Sequence, residues 1–545
     1  MNQTSSFVTE PKPAWKDHNE TDSRPTEKER STDVKAKVPI FLVFSEYADK
    51  TSINGIRLIK ISNSYVAKFI WSILFLAAVG ALAYHSYSII ANYLSYNTVA
   101  TINRSIANQM ELPFITFCNQ NPVRSSKLKD TSPELVQYVQ NKSLDKLVEI
   151  ISKYNTSKSS ETNEIWINLL STYLQDDKSD TGSSGDMTVQ SELVGFERFV
   201  YEMNRLDSEL RKEVGHQIDD MLLWCFIGGD SCNVSDFKLF SSNEFGNCFT
   251  LNTLKYRQES EGPKEGLDIG FFLEPDEYIP ELIETKGLQV VLHSKQSFPY
   301  PKEDGFQVSP GTLSNIAMKL VKTQYLPKPY GDCLESGNYD KNYLQDYNYT
   351  YEYEFCQDLC RYDYVIEKCR CMPKEYLEIT GNDKVSGFCS DNLKSYLCQD
   401  DVYAGVYNNT LTCDECDDEC STETYTFRMT SSEWPTSILG QALVEYLCNK
   451  TSMTPERCQS MRNHTDVQLR ENFVALKSFY DTMSVETYSV QPAMSITDLL
   501  CNVGGCLGLW LGLSVLSFCE VFHFLVELLQ AALQMFSLCP TKPKM

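Results

Sequence analysis

Two long apolar stretches divide the chain. Residues 69–90 run for 22 positions without a formal charge, enough for a helix to cross the hydrocarbon layer of a bilayer once. Residues 499–538 are apolar for about 40 positions, interrupted by Asn502, Glu520, His523, Glu527 and Gln530, roughly twice what one crossing needs. Such a segment is either one long tilted helix or a helix that breaks inside the bilayer. Gly504, Gly505, Gly508 and Gly512 place the break in its first half, and irregular backbone at that depth has to line a cavity. Between the stretches the pattern becomes that of a mixed α+β unit. Apolar residues recur at three- and four-residue intervals over 135–154 and 196–224, which predicts amphipathic helices. Short apolar runs at 114–118, 248–251, 288–292 and 473–479 predict strands, and 176–186 reads as an exposed loop. Residues 41–65 mix apolar positions with a tight-turn dipeptide, Asn54-Gly55, whereas residues 1 to about 40 carry too few large apolar side chains to fold alone.

Charge orients this layout. Lys50, Arg57, Lys60 and Lys68 crowd the amino-terminal side of the first stretch, so the positive-inside rule puts that side in the cytoplasm, and two crossings return the carboxyl terminus there. The polar residues ahead of it leave no room for a cleavable signal peptide, and the first stretch serves as an anchor. The expected layout is a multi-pass plasma-membrane protein: 1–64 a cytoplasmic tail, 65–91 the first membrane helix, 92–497 an extracellular domain, 498–538 the second membrane helix, and 539–545 a short cytoplasmic tail.

Cysteine usage agrees. Sixteen of the twenty cysteines lie between Cys118 and Cys458, and an even count in an oxidising compartment reads as a disulfide framework whose connectivity spacing alone leaves open. Zinc at Cys413-x-x-Cys416 with Cys420 is disfavoured by the compartment and by the lack of a nearby histidine, so no metal and no cofactor is expected. Essentially all of the net charge of −24 falls between the two spans, which concentrates cations and repels nucleic acid and nucleotides. Glycosylation sequons stand at Asn103, Asn141, Asn155, Asn233, Asn348, Asn408, Asn449 and Asn463. None of the six histidines (His18, His85, His216, His293, His464, His523) falls in a nucleophile or metal motif, so the chain does not read as an enzyme.

Four blocks, in order, give the chain a resemblance. LPFITFCNQNP at 112–122, GNCFTLN at 246–252, YLPKPYGDC at 325–333 and VGGCLGLWLGLSVLSFCE at 503–520 resemble the degenerin/epithelial sodium channel family. The resemblance implies a homotrimeric, amiloride-sensitive, sodium-selective channel with a palm, finger, thumb, knuckle and β-ball arrangement outside the bilayer. It also implies a pairing: Cys118 with Cys248, Cys225 with Cys232, Cys333 with Cys420, Cys356 with Cys416, Cys360 with Cys413, Cys369 with Cys398, and Cys371 with Cys389. Cys448 and Cys458 are left to form an eighth bridge. By position, Gly512-Leu513-Ser514 takes the place of the selectivity filter, with Leu where acid-sensing members typically have Ala. Small residues there let helices approach and let carbonyls replace part of an ion's hydration shell, although small residues also pack any membrane bundle. Cys501 and Asn502 match the gate positions, Asn502 standing where acid-sensing members have Asp. Glu520 and Glu527 imply acidic rings below the filter, and Asn54-Gly55 aligns with a cytoplasmic His-Gly gating motif, without its histidine.

Texture around Glu433-Trp434-Pro435 and 509–514 looks most like invertebrate neuropeptide-gated members that respond to Phe-Met-Arg-Phe-amide (FMRFamide). That ligand is a dication, which an acidic exterior attracts and aromatic side chains can hold; no pocket for it can be read from the sequence. Proton gating, which needs clustered carboxylates with raised pKa, and constitutive opening are the alternatives inside the family. Outside it stand an ATP-gated trimer, disfavoured by the acidic exterior, and an anchored receptor ectodomain or ectoenzyme without a pore.

Overall fold

The computed structural model describes residues 40–53, 55–141, 196–279, 283, 285–335, 349–376, 378, 387–391, 393–450 and 453–536. The expected loop at 176–186, most of the helix expected over 135–154, and Asn54, Asn155 and Asn348 lie outside these residues. The chain divides into two compact units, Ser95–Met494 and a pairing of Met1–Leu94 with Ser495–Met545.

The larger unit is built on an eight-stranded sheet whose centre is Thr312–Gln324. Along this strand Ser314, Ile316, Met318 and Leu320 are buried while the intervening residues are more exposed, the two-residue period of a half-buried strand. Ser421–Glu433 pairs with it antiparallel over its full length, from Thr312 opposite Glu433 to Gln324 opposite Ser421. On the other side it pairs parallel with Phe473–Tyr480 and then with Ser484–Pro492, whose outer edge is covered by Thr98–Ile106. Leu267–Phe272, Leu222–Ile227 and Asp230–Ser231 complete the sheet. A second, antiparallel sheet runs in the order Phe306–Val308, Leu288–His293, Phe114–Asn119, Gly246–Leu251, Phe237–Ser242, and the fully buried strand Phe114–Asn119 shares one apolar core with the first sheet.

The four strands expected from short apolar runs all form, at Phe114–Asn119, Gly246–Leu251, Leu288–His293 and Phe473–Tyr480. The continuous helix expected over 196–224 does not. The chain forms three short helices, Phe196–Asn204, Ser208–Val214 and Ile218–Met221, and then the strand Leu222–Ile227. Asp207 accepts the Glu209 N–H and so starts a new helix, while Gly215 leaves the second in extended conformation. Beyond it Leu223, Cys225 and Ile227 are buried at every second position against Leu267–Phe272, so tertiary pairing overrides the helical period.

A helical arm, Tyr353–Cys369 with Leu393–Tyr407, anchors three of the cross-links and lies among two more. Cys356 and Cys360, one turn apart on one face, bond to Cys416 and Cys413; Cys369 bonds to Cys398, Cys371 to Cys389, and Cys333 to Cys420. Three further bridges are Cys118–Cys248, which joins residues directly opposite across two strands, Cys225–Cys232, and Cys448–Cys458.

In the smaller unit Tyr65–Leu94 is a single 30-residue helix, about 45 Å long at 1.5 Å per residue, with large apolar residues such as Phe69, Ile73 and Leu76 on its outside. It is the one unbroken described helix long and apolar enough to cross a bilayer. The second apolar stretch is two helices, Ile496–Leu511 and Val515–Phe536, bent by 72° about the residues between them. Ile496–Leu511 packs on Tyr65–Leu94, where Trp510 Nε1 donates to His85 Nδ1 at 3.4 Å. The amino-terminal helix Ile40–Lys50 packs on Val515–Phe536, with the Tyr47 and Phe524 rings stacked at 4.2 Å.

Candidate functional site

The break in the second apolar stretch has a local cause. Gly512 adopts φ 68° and ψ 21°, the left-handed conformation that glycine enters without steric cost. Its N–H donates to Gly508 O at 3.0 Å and the Leu513 N–H donates back to Leu507 O at 3.2 Å, the hydrogen-bonding of a glycine-terminated helix. Ser514 begins the next helix: its N–H donates to Ser517 Oγ at 3.0 Å, and the Ser517 N–H donates to Ser514 O at 2.9 Å. The Gly512 and Leu513 carbonyl oxygens accept no hydrogen bond among the described residues. Two unengaged carbonyls therefore lie where small residues interrupt an apolar helix, an arrangement able to offer oxygen ligands to a partly dehydrated cation. Gly504, Gly505 and Gly508 instead sit inside Ile496–Leu511, and a Cβ at Gly504 or Gly505 meets nothing within 4 Å, so these two present an open helix surface. Cys501 and Asn502 are exposed on the same helix, and Cys501, Cys506 and Cys519 are free thiols.

A segment from the amino-terminal side reaches this break. Ser52 Oγ lies 2.7 Å from Ser517 Oγ, and the Ser52 N–H and hydroxyl both donate to Glu520 Oε2 at 3.0 Å. Ser517 is 1% exposed, so one buried hydroxyl joins the segment after Ile40–Lys50 to the residue that restarts the helix. Gly55 follows at φ 100°, and a Cβ on it would stand 2.9 Å from the Phe75 ring of Tyr65–Leu94. Glu527 is exposed and lies 3.7 Å from His523 one turn before it. Sequence patterning gave no sign of the Ser52 contact, which joins residues more than 460 positions apart.

The larger unit contains a cavity of about 380 Å³ against the helical arm, lined by the carboxylates of Glu244, Glu303, Glu354, Asp358, Glu375 and Glu378. Burial raises the pKa of Glu303, Glu354 and Asp358, the last in spite of the Arg361 guanidinium. Burial also pushes Glu378 up to about 8; the Asn243 N–H that it accepts opposes this, and the charges of Glu375 and Glu244 add to it. Outside the lining, burial and the neighbouring Glu419 push Glu352 up to about 7. Tyr300 OH donates to Asp358 Oδ2 at 3.0 Å, and Phe298 stacks on Phe355 with centroids 5.4 Å apart. The sequence located none of these six residues individually, although four of them, Glu354, Asp358, Glu375 and Glu378, lie among the ten cysteines from Cys333 to Cys420.

Asn103, Asn233, Asn408, Asn449 and Asn463 are exposed, and Asn141 ends the helix Pro133–Asn141. Trp434 packs edge-on against Trp224 at 5.6 Å, and Glu433 pairs with Arg470 at 2.5 Å, so both serve the sheet edge.

The chain matches the model of the amiloride-sensitive sodium channel family over residues 47–524. Degenerin mec-10 of Caenorhabditis elegans is 29% identical over 355 residues, covering 64% of this chain and 47% of that protein, so the chain spans about half the length of this relative. The epithelial sodium channel subunit gamma of Pelodiscus sinensis is 24% identical over 548 residues, covering 88% of this chain and 78% of that one. The FMRFamide-activated amiloride-sensitive sodium channel of Cornu aspersum is 22% identical over 564 residues, covering 89% of this chain and 83% of that one. With a match that runs from the amino-terminal helix through the cross-linked unit and past the helical break, the chain belongs to the amiloride-sensitive sodium channel family.

Proposed function

We propose that this chain is one subunit of a homotrimeric, sodium-selective, amiloride-sensitive channel of the plasma membrane, opened by an FMRFamide-type peptide outside the cell. Tyr65–Leu94 and the bent pair Ile496–Leu511 and Val515–Phe536 are read as the two crossings, with both termini cytoplasmic, the cross-linked unit outside and the basic residues before Tyr65 inside. Two crossings per chain cannot close a ring, so the pore needs several copies about one axis.

The observation that carries the reading is the left-handed break at Gly512-Leu513-Ser514 with its unengaged carbonyls. Sodium sheds part of its water there against carbonyl oxygens contributed by each copy. Cys501 and Asn502, earlier on the same helix, form the gate. Glu527 supplies an acidic ring on the cytoplasmic side; the Glu520 carboxylate, held by Ser52, instead ties the Asn54-Gly55 segment to the filter. Replacing Gly512 by valine, or Ser514 by leucine, is expected to shift the reversal potential toward potassium and to weaken amiloride block by at least about tenfold. Unchanged selectivity and block in both variants would remove the filter from this position.

Peptide activation has its support in the likeness to the FMRFamide-activated relative and in the acidic exterior, which suits a dication. The carboxylate cavity favours a second reading, in which protons open or modulate the channel by neutralising Glu378 and its neighbours. Pulses of acid and of peptide on cells expressing this chain alone separate the two, because peptide current at constant pH requires no protonation step.

A further inference from the structure

The cross-linked unit holds a second cavity, of about 710 Å³, that neither the pore nor the carboxylate cluster uses. Its walls come from the turn Pro275–Glu277 and the helices Ser437–Cys448, Pro455–Arg462 and Asp466–Glu471. Leu447, Met453 and Met461 form an apolar side, continued by Phe272, whose ring lies 5.2 Å from the Arg457 guanidinium. The floor is fixed: Glu274 is 2% exposed and held at φ 53°, with one oxygen 2.7 Å from His216 Nδ1 and the other 3.3 Å from Arg457 Nη1.

The charges around this cavity do not cancel. Arg457 is engaged by Glu274 and Asp276, Arg124 lies 3.6 Å from Asp220, and Lys286 lies 3.2 Å from Glu471. Those three cations face five lining carboxylates, counting Glu277, so two negative charges are left over. Glu277 touches no cation among the described residues, and its Oε2 accepts the Ser126 N–H at 2.9 Å. The volume falls in the middle of the ~300–1,000 Å³ range of ligand pockets, and it is nearly twice that of the carboxylate cavity.

We propose that this cavity receives the activating peptide, an amidated dication with an arginine, its guanidinium on Glu277 and its apolar side chains against Met453 and Met461. The assignment rests on the peptide-gating reading above. A guanidinium is matched by a carboxylate that no other cation touches, although the Arg457 charge lies near enough to act on it, and the apolar side accepts aromatic or thioether groups by burial. An amidated terminus carries no carboxylate to be repelled by the surplus negative charge.

The test uses the full chain expressed in cells, with FMRFamide and its analogue carrying citrulline in place of arginine, on wild type, Glu277→Gln and Ser460→Trp. Glutamine at 277 can still accept the Ser126 N–H, and tryptophan at 460 fills the cavity from an exposed lining position. In wild type the citrulline swap is expected to raise the half-activating concentration about tenfold or more, whereas in Glu277→Gln the same swap costs less than about twofold. Ser460→Trp is expected to lose peptide response at normal surface abundance, while Glu415→Gln, at an exposed position outside both cavities, leaves it within about twofold. An arginine penalty of the same size in wild type and Glu277→Gln overturns the proposal, even if Ser460→Trp fails to reach the surface. A wild-type channel that ignores both peptides overturns the gating reading itself, which distinguishes the two failures.

Discussion

Gly55 and Glu378 show how single residues set the working range of the two units. At φ 100° any side chain on Gly55 is strained, and a Cβ there also meets the Phe75 ring at 2.9 Å. Gly55→Ala is expected to cost about 1–2 kcal/mol of local stability and to lower current severalfold at unchanged surface abundance. Adding Phe75→Ala relieves only the contact, so whole-cell current is expected to recover in part. Glu378, pushed up to about 8, acts through pH. Its folded-state pKa lies above the ordinary value of 4.5, so the stability it contributes is fully present below about pH 4.5 and is lost as pH rises through about 8. Acid therefore favours the arrangement seen here, with Glu378 neutral in its buried position. Glu378→Gln is expected to flatten the pH dependence of the current between about pH 7 and 8.5, which steady-state recording over that interval checks; an unaltered profile assigns the dependence to other groups.

At the scale of elements, the contact between the amino-terminal segment and the restarted helix is the most specific feature. Ser52 offers both its N–H and its hydroxyl to Glu520, and Ser517 links them to Ser514. Ser52→Ala and Glu520→Gln are each expected to weaken this junction by about 1–2 kcal/mol and to change selectivity or open probability in the same direction. The double variant is expected to do more than the worse single one but less than their sum, because the two share the hydroxyl–carboxylate contact while Ser52→Ala also removes the Ser517 contact, and a double-mutant cycle on open probability measures the coupling. Other elements were legible beforehand to different degrees. The four short apolar runs announced their strands because burial on both faces keeps them largely apolar, and Tyr65–Leu94 and the bent pair Ile496–Leu511 and Val515–Phe536 announced themselves by their long apolar runs. Ser421–Glu433 and Thr98–Ile106 did not, since exposed strands carry mixed, polar sequences whose partners lie far along the chain. The strand Leu222–Ile227 was hidden behind a helical spacing that only the neighbouring strand overrules. Of the candidate sites, the glycine break could be placed because backbone conformation is written in residue type, whereas the two cavities assemble side chains from segments that no local pattern connects.

For the whole molecule, electrostatics and covalent cross-links divide the labour. A net charge of −24 raises the local concentration of cations, and the effect is screened by salt. The eight bridges among the described residues hold the larger unit's loops and helical arm in place. The central sheet has a further consequence for biogenesis. Thr312–Gln324 pairs in parallel with Phe473–Tyr480, so Leu313 waits for Ala475, which leaves the ribosome long after it. Long-range parallel pairing is slow and exposes an unsatisfied edge meanwhile. A chain stopped before Phe473 is expected to remain bound to lumenal chaperones and to be degraded, and one extended past Pro492 to be released. Pulse-chase labelling of truncated chains would show the maturation step falling between those two lengths.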